Sequence, residues 1–353
     1  MTSLFILLNC VSGFAILTSF IHLVRYDAWW IRIWDFPHLQ LAILILLCLV
    51  TRLTLMPLQE PTDWIITGLL VTSLLYQAWL IYPYTNLHKI QMNSQKSDDP
   101  SNTLQLMIAN IYMDNRNYDR ILKQVALVKP DVLLIVEADD AWKEALRPLE
   151  TDYPHRILQA LPNTYGMLLY TRLKMTDPEV RFLIEDDIPS VRVNLQLPSG
   201  QSIRFYGVHP QPPSPTEHYR STERDAELLV IGKEARQHTG PVIVAGDLND
   251  VAWSHTTRLF QRISGLLDPR IGRGLYSTFH AKYFFLRWPL DHIFASHHFK
   301  VGKIKRLPNC GSDHFPVFVS LTYSPDPESK KEEPQPEGDD KQEAVEKIEK
   351  AKE

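Results

Sequence analysis

Three stretches near the start of the chain depart from the mixed polar and apolar texture of a soluble protein. Residues 3–24 (SLFILLNCVSGFAILTSFIHLV) hold no Lys, Arg, Asp or Glu, and the run LAILILLCLVTRLTLM at 41–56 carries only Arg52. A third run, WIITGLLVTSLLYQAWLIY at 64–82, is again uncharged. About 20 apolar residues in a helix cross the hydrocarbon core of a bilayer, so the pattern predicts three transmembrane helices, 3–24, 40–56 and 64–82, within an anchor at 1–90. Trp29, Trp30, Trp64, Trp79, Tyr82 and Tyr84 near their ends fit an interfacial belt. A cleaved signal peptide fits less well, because the first run has no basic n-region and two long runs follow it.

Beyond a polar linker at 91–103 the pattern changes to short apolar runs bounded by turn residues. LQLMIANI, DVLLIVEA, GMLLYT, VRVNLQL, SIRFYGVH, PVIVAGDL, LDHIFAS and FPVFVSL read as strands. Tyr118–Lys129 and Thr222–His238 carry apolar residues at helical spacing. Many strands and a few helices over 104–323 predict one α+β domain of layered sheets and helices. From Ser324 to Glu353 the chain is acidic and nearly free of large apolar residues. That composition predicts a disordered tail, with Glu343/Lys347 and Glu346/Lys350 pairs able to support a transient helix.

Charge sharpens the division. The whole chain has a formal net charge of −4, yet the tail alone holds eleven acids and six bases, leaving the 104–323 domain with 26 bases and 24 acids. Such a balance lacks the basic surplus that supplies most non-specific affinity for nucleic acid. Lys and Arg at the span ends (Arg25 and Arg32 in the first loop, Lys89 and Lys96 after the third helix) predict, by the positive-inside rule, that the 104–323 domain faces the cytoplasm. The three cysteines, Cys10, Cys48 and Cys310, are too scattered for a disulfide or zinc framework. Nothing in the chain calls for an obligate protein partner.

Polar residues recur where the apolar strands end. Asn110 closes LQLMIAN, Glu137 closes DVLLIVE and His209 closes SIRFYGVH. Asp247 and Asn249 follow PVIVAG, Asp291 and His292 open LDHIF, and Asp313 and His314 precede FPVFV. Any one of them can be a turn former or a merely hydrogen-bonded group. Together they form a set of hard oxygen donors suited to Mg²⁺ or Mn²⁺ rather than zinc, with imidazoles able to contact phosphate oxygens. That inventory suits metal-assisted hydrolysis of a phosphate ester.

The order and wording of these motifs resemble the endonuclease/exonuclease/phosphatase superfamily over residues 104–322. AGDLND at 245–250, LDHIF at 290–294 and SDHFPV at 312–317 carry most of the likeness. IANI at 108–111, IVEAD at 135–139, GMLLYTR at 166–172 and GVHPQPP at 207–213 agree with it. The resemblance implies a four-layer α/β/β/α sandwich of two packed sheets. It implies Glu137 as chief metal ligand with Asn110 and Asp313 beside it, and Asp247 as the base acting on water. Asn249, His209 and His314 would contact the phosphate, and Asp291 would orient His314. His292 stands where many relatives carry Tyr.

Tethering by three helices favours a lipid-like phosphate ester as substrate. A nuclease is the alternative, and a catalytically silent, membrane-tethered binding module is a second. The aromatic and basic loop 270–288 (RIGRGLYSTFHAKYFFLRW) is expected either to lie against the membrane or to pack as a lid on the sandwich.

Overall fold

The computed structural model describes residues 2–55 and 58–353. The first quarter of the chain folds as helices α1 (Thr2–Ile21), α2 (Trp29–Arg32), α3 (His38–Leu55) and α4 (Pro61–Ile81). Helices α1, α3 and α4 are long and apolar enough to cross a membrane. Met56, the expected last residue of the second span, and Pro57 lie outside the described residues. The third helix begins three residues earlier than expected, with Pro61 in its first turn, where a missing N–H costs nothing, and Asp63 capping the backbone N–H of Glu60. Asp63 also takes up the one charge in the second helix: Arg52 is fully buried, 2.8 Å from the Asp63 carboxylate and 2.7 Å from Asn9 Oδ1. Neither charge could have been left alone in an apolar bundle.

The remaining elements in chain order are β1 (Thr103–Asn110), α5 (Tyr118–Val128), β2 (Val132–Val136), α6 (Asp140–Ala145), β3 (His155–Gln159), β4 (Met167–Thr171), β5 (Lys174–Arg181) and β6 (Ser190–Gln196). They continue as β7 (Ser202–Val208), α7 (Thr222–Gln237), β8 (Val242–Asp247), α8 (His255–Ser264), β9 (Asp291–Ala295), β10 (Phe299–Arg306), β11 (Val317–Tyr323), α9 (Pro327–Lys330) and α10 (Asp340–Lys350). The strands build two mixed sheets, ordered β10-β11-β1-β2-β4-β3 and β5-β6-β7-β8-β9. Each has one parallel pair at its heart, β1/β2 and β7/β8, with antiparallel strands on either side.

Side-chain alternation explains the layers. Leu106, Ile108, Leu134 and Val136 point between the sheets and meet Phe205, Ile243 and Ala245 of the other sheet. Met107, Ala109, Leu133 and Ile135 point outward to Ile121 and Val125 of α5 and Trp142 of α6. On the opposite side Tyr206, Val208 and Val244 meet Leu228 and Ile231 of α7 and Phe260 of α8. Both faces of the central strands are covered, which is why they read as continuous apolar runs rather than alternating ones. The result is the α/β/β/α sandwich expected. Strands β3, β5 and β10 were not anticipated. β5 and β10 are edge strands with largely exposed, charged faces, so no apolar run marks them.

The acidic tail departs from the expectation of disorder. Helix α10 lies on α7 and α8, burying Ala344 and Ile348 against Leu229, Leu259 and Ile263. Its charges reach other elements instead of one another: Arg262 grips Asp340 at 2.6 and 2.9 Å, His255 meets Glu343 at 2.7 Å, and Lys347 meets Asp225 at 2.8 Å. Lys350 reaches Asp27, in the loop after α1, at 2.6 Å. A segment with a net charge can order when a partner surface presents the opposite charges, and net charge alone carries no trace of that surface.

Candidate active site

All the polar strand-end residues arrive at one end of the sandwich, because the parallel strands β1, β2, β7 and β8 finish there while β9 and β11, antiparallel to their neighbours, begin there. Asn110 is the last residue of β1, Asp247 the last of β8 and Asp291 the first of β9. Glu137, His209 and Asn249 sit just past β2, β7 and β8, and Asp313 and His314 a few residues before β11. Two local features let the chain turn here. Gly246 has φ of +151°, and a Cβ on it would stand 1.8 Å from the Val208 carbonyl oxygen, so the AGD sequence needs its glycine. Glu137 and Asn249 adopt left-handed φ of 61° and 51°. Asn tolerates that conformation; for Glu it is strained, and such strain collects at functional positions.

Two hydrogen-bonded chains meet at Asp247. Asn110 Nδ2 donates to Glu137 Oε1 (2.7 Å) and to Asp247 Oδ2 (2.9 Å), while its own oxygen accepts the Tyr112 N–H at 3.1 Å. On the other side His314 places Nε2 3.5 Å from Asp247 Oδ2 and Nδ1 2.8 Å from Asp291 Oδ2. Asp247 Oδ1 accepts the Asn249 N–H at 2.9 Å, and the Asn249 side chain donates to the Pro210 carbonyl at 3.0 Å, tying the loop after β8 to His209's neighbour. His209 is buried, its Nδ1 has no hydrogen-bond partner among the described residues, and its ring lies 5.5 Å from that of Tyr165. Asp313 is only partly buried, and its charge acts on both Glu137 and His314. All eight residues are thus within one constellation. Asn110 enters it as a bridge between two carboxylates, its oxygen engaged by backbone.

The electrostatics divide the two histidines. Burial works against a charge on His314, but Asp291 and Asp247 overcome it and hold the imidazolium up to about 10. His209 is lowered to about 4 by burial, so it is neutral at neutral pH. Glu137 is raised to about 7, chiefly by burial, in spite of the Asn110 hydrogen bond. A carboxylate held in that state is poised for a cation. The oxygen donors of Glu137 and Asp313 fit a hard divalent ion. Asp247, Asp291 and His314 also lie within ligand distance of one another, yet both nitrogens of His314 already face carboxylates. That trio reads better as an ion-paired imidazolium than as a metal cage.

Several supporting residues carried no motif. Arg224 on α7 is fully buried, donates to the Asn249 carbonyl at 2.8 Å, and pairs with Asp225 at 2.8 Å and Asp250 at 3.6 Å. Thr278 Oγ1 accepts the N–H groups of Leu290 and Asp291, each at 3.2 Å, and the Phe279 ring lies 4.9 Å from His314. The aromatic loop therefore forms one wall of the site. His292 is buried under the AGDLND loop; Arg270 donates to its Nδ1 (2.7 Å), which leaves Nε2–H for the Asp250 carbonyl (2.9 Å). Burial and Arg270 hold it neutral. No sequence signal marks Arg224, whose neighbours along the helix include Ser221, Glu223, Asp225 and Glu227.

Known proteins resemble this chain in sequence and in fold. The profile of the Endonuclease/Exonuclease/phosphatase family matches residues 107–314. A UPF0294 protein of Vibrio cholerae is 27% identical over 231 residues, which covers 63% of this chain and 78% of that one. Among solved structures, D. rerio TDP2 complexed with single-strand DNA product superposes with a TM-score of 0.52 at 16% identity, covering 62% of this chain and 99% of that chain. The human Nocturnin catalytic domain with bound sulfate gives 0.51 at 17% identity, covering 64% and 97%.

Proposed function

Since the chain belongs to the endonuclease/exonuclease/phosphatase family, we propose that it is a membrane-anchored, Mg²⁺-dependent phosphoesterase that hydrolyses a lipid-like phosphate ester, with Mn²⁺ able to substitute. The observation that carries this reading is the continuous chain Glu137–Asn110–Asp247–His314–Asp291, which joins a cation position to a charged imidazole through one carboxylate. Glu137 and Asp313 hold the cation, and Asn110 keeps the Glu137 and Asp247 carboxylates in register. A cation bound there would supply charge neutralisation at the phosphate.

The protein's own groups do the rest. Asp247, fixed from three directions, takes the proton of the attacking water. His314, protonated and oriented by Asp291, donates to a phosphate oxygen as negative charge gathers there. His209 donates from a neutral ring, and Asn249 places the phosphate between these groups. Phe279 and Thr278 hold the His314–Asp291 pair from the loop side.

Three apolar helices and the preference of Arg25, Arg32, Lys89 and Lys96 for one side support a bilayer anchor with the site facing the cytoplasm. All candidate site residues are present, which speaks against the catalytically silent module. Full-length protein in detergent, assayed with Mg²⁺ on bis-p-nitrophenyl phosphate, sphingomyelin and plasmid DNA, tests the reading. Cleavage of the phosphodiester and of a lipid is expected, abolished by Glu137→Ala and His314→Ala in folded protein. Cleavage of DNA alone establishes the nuclease instead, and no turnover with Mg²⁺ or Mn²⁺ overturns the phosphoesterase.

A further inference from the structure

Outside the catalytic cluster, an open groove of about 760 Å³ lies between the first turns of α3 and the aromatic loop. Its size falls within the roughly 300–1,000 Å³ of ligand sites. Leu39 and Ile43 of α3 line it together with Leu275, Phe284 and Phe285 of the aromatic loop, and Arg287 and Arg306, which share the Phe315 ring, line it beside them. Gln40 ties α3 to the loop by donating to the Phe285 carbonyl at 2.9 Å.

The arginine pair is unusual in having no counter-charge. Both guanidinium groups lie over the Phe315 ring, at 5.1 and 4.4 Å from its centroid, and among the described residues neither comes within ion-pair distance of a carboxylate. Two like charges on one ring repel each other, and among the described residues the Phe315 ring and the Ser277 carbonyl offset them without any carboxylate. Arg287 Nε and Gln40 Oε1 are buried without a partner. A polar anionic group placed at the pair would satisfy the guanidinium donors, and an apolar body attached to it would lie along Leu39, Ile43, Phe284 and Phe285. Phe284 is 78% exposed, and Ile43, which lies within the apolar span of α3, is 53% exposed.

The geometry points to a binding site for an anionic membrane phospholipid, its phosphate on Arg287 and Arg306 and one acyl chain in the groove. This rests on the bilayer anchor proposed above, since the groove meets lipid only if α3 is in a membrane. The site is separate from the catalytic cluster but shares a wall with it. Arg306 donates to the Ser277 carbonyl at 2.9 Å, next to Thr278, which carries the Asp291 backbone, and Phe279, which packs on His314. A bound lipid therefore fixes the segment that holds the imidazolium in place.

The test measures lipid retention on full-length protein, independent of turnover. Detergent-solubilised protein is incubated with phosphatidylglycerol or phosphatidylcholine, and bound lipid is counted by native mass spectrometry. Each arginine near a bilayer surface is worth about fivefold in affinity for anionic lipid, so R287Q/R306Q is expected to retain phosphatidylglycerol about thirtyfold more weakly than the wild type. R287K/R306K should keep most of the retention, which separates lost charge from lost folding. Phosphatidylcholine should bind weakly to all three. Equal retention of phosphatidylglycerol by the wild type and R287Q/R306Q overturns the proposal, as does equal retention of the two lipids by the wild type. A protein that binds the anionic lipid but hydrolyses no phosphate ester refutes the proposed function and leaves this site standing; hydrolysis with undiscriminating retention does the reverse.

Discussion

Glu137 offers the sharpest test of the site, because its charge should cost the metal-free fold stability. In the unfolded chain its carboxyl releases its proton near 4.5, and in the fold near 7, mainly through burial. Between those values the folded state holds the proton more tightly, so stability falls as pH rises from 4.5 and reaches its lower plateau above 7. At about 1.4 kcal/mol per pH unit, the charged form costs the metal-free protein about 3 kcal/mol. Glu137→Gln removes that cost and keeps an oxygen for Asn110. It gives up the long Met113 N–H contact at 3.4 Å, worth about 1 kcal/mol or less. The net gain is about 2 kcal/mol, or a rise in Tm of about 4–8 °C for a domain of this size. Thermal unfolding of full-length protein in detergent and EDTA at pH 8 reads it directly. At pH 4 that advantage should be gone, and the variant should melt level with the wild type or up to about 1 kcal/mol below it through the lost Met113 contact. Excess Mg²⁺ should raise the wild type by about 3 kcal/mol at a hundredfold over Kd and leave the inactive variant where it was. If Glu137→Gln melts at or below the wild type at pH 8 in EDTA, Glu137 is not a strained cation ligand.

Other consequences follow from the same contacts. Asp291→Asn removes the larger support of the His314 charge, so kcat should fall about 10²-fold or more and the alkaline limb of the pH–rate profile, expected near 10, should move to lower pH. The acidic limb should lie near 7 at limiting Mg²⁺ and shift lower as Mg²⁺ rises, since protons and metal compete for Glu137. Arg224→Met leaves Asp250 buried without its cation and Asp225 with Lys347 alone, and should destabilise by about 3–5 kcal/mol, read by denaturant unfolding. Lys347→Met takes away one of the two cations that hold the Asp225 carboxyl below its ordinary range. The stability that pair supplies is present above about pH 4 and fades as pH falls, so the wild type and variant melting curves should differ at pH 7 and converge in strong acid.

What the linear chain determined was whatever depends on neighbours in sequence. Apolar runs long enough for a span, strand-length runs covered on both faces, and polar residues closing them at AGDLND, LDHIF and SDHFPV are local patterns. Local pattern was enough for the layered fold, and the eight candidate residues it picked out converge because parallel strands deliver their ends to one edge. Tertiary structure decided what depends on partners far along the chain. The charge-rich tail became an ordered helix only because Arg262, His255 and Asp225 face it. Arg52 could remain in an apolar helix because Asp63 lies beside it. Asn110, expected as a metal ligand, turns its amide to two carboxylates that come from β2 and β8. Arg224, Thr278 and Phe279 support the site with side chains that no motif marks. The unpaired charge of Arg287 and Arg306 likewise exists only once β10 and the aromatic loop are folded against Phe315. Burial and charge pairing are properties of surroundings, and in this protein the surroundings are assembled from segments as much as 323 residues apart.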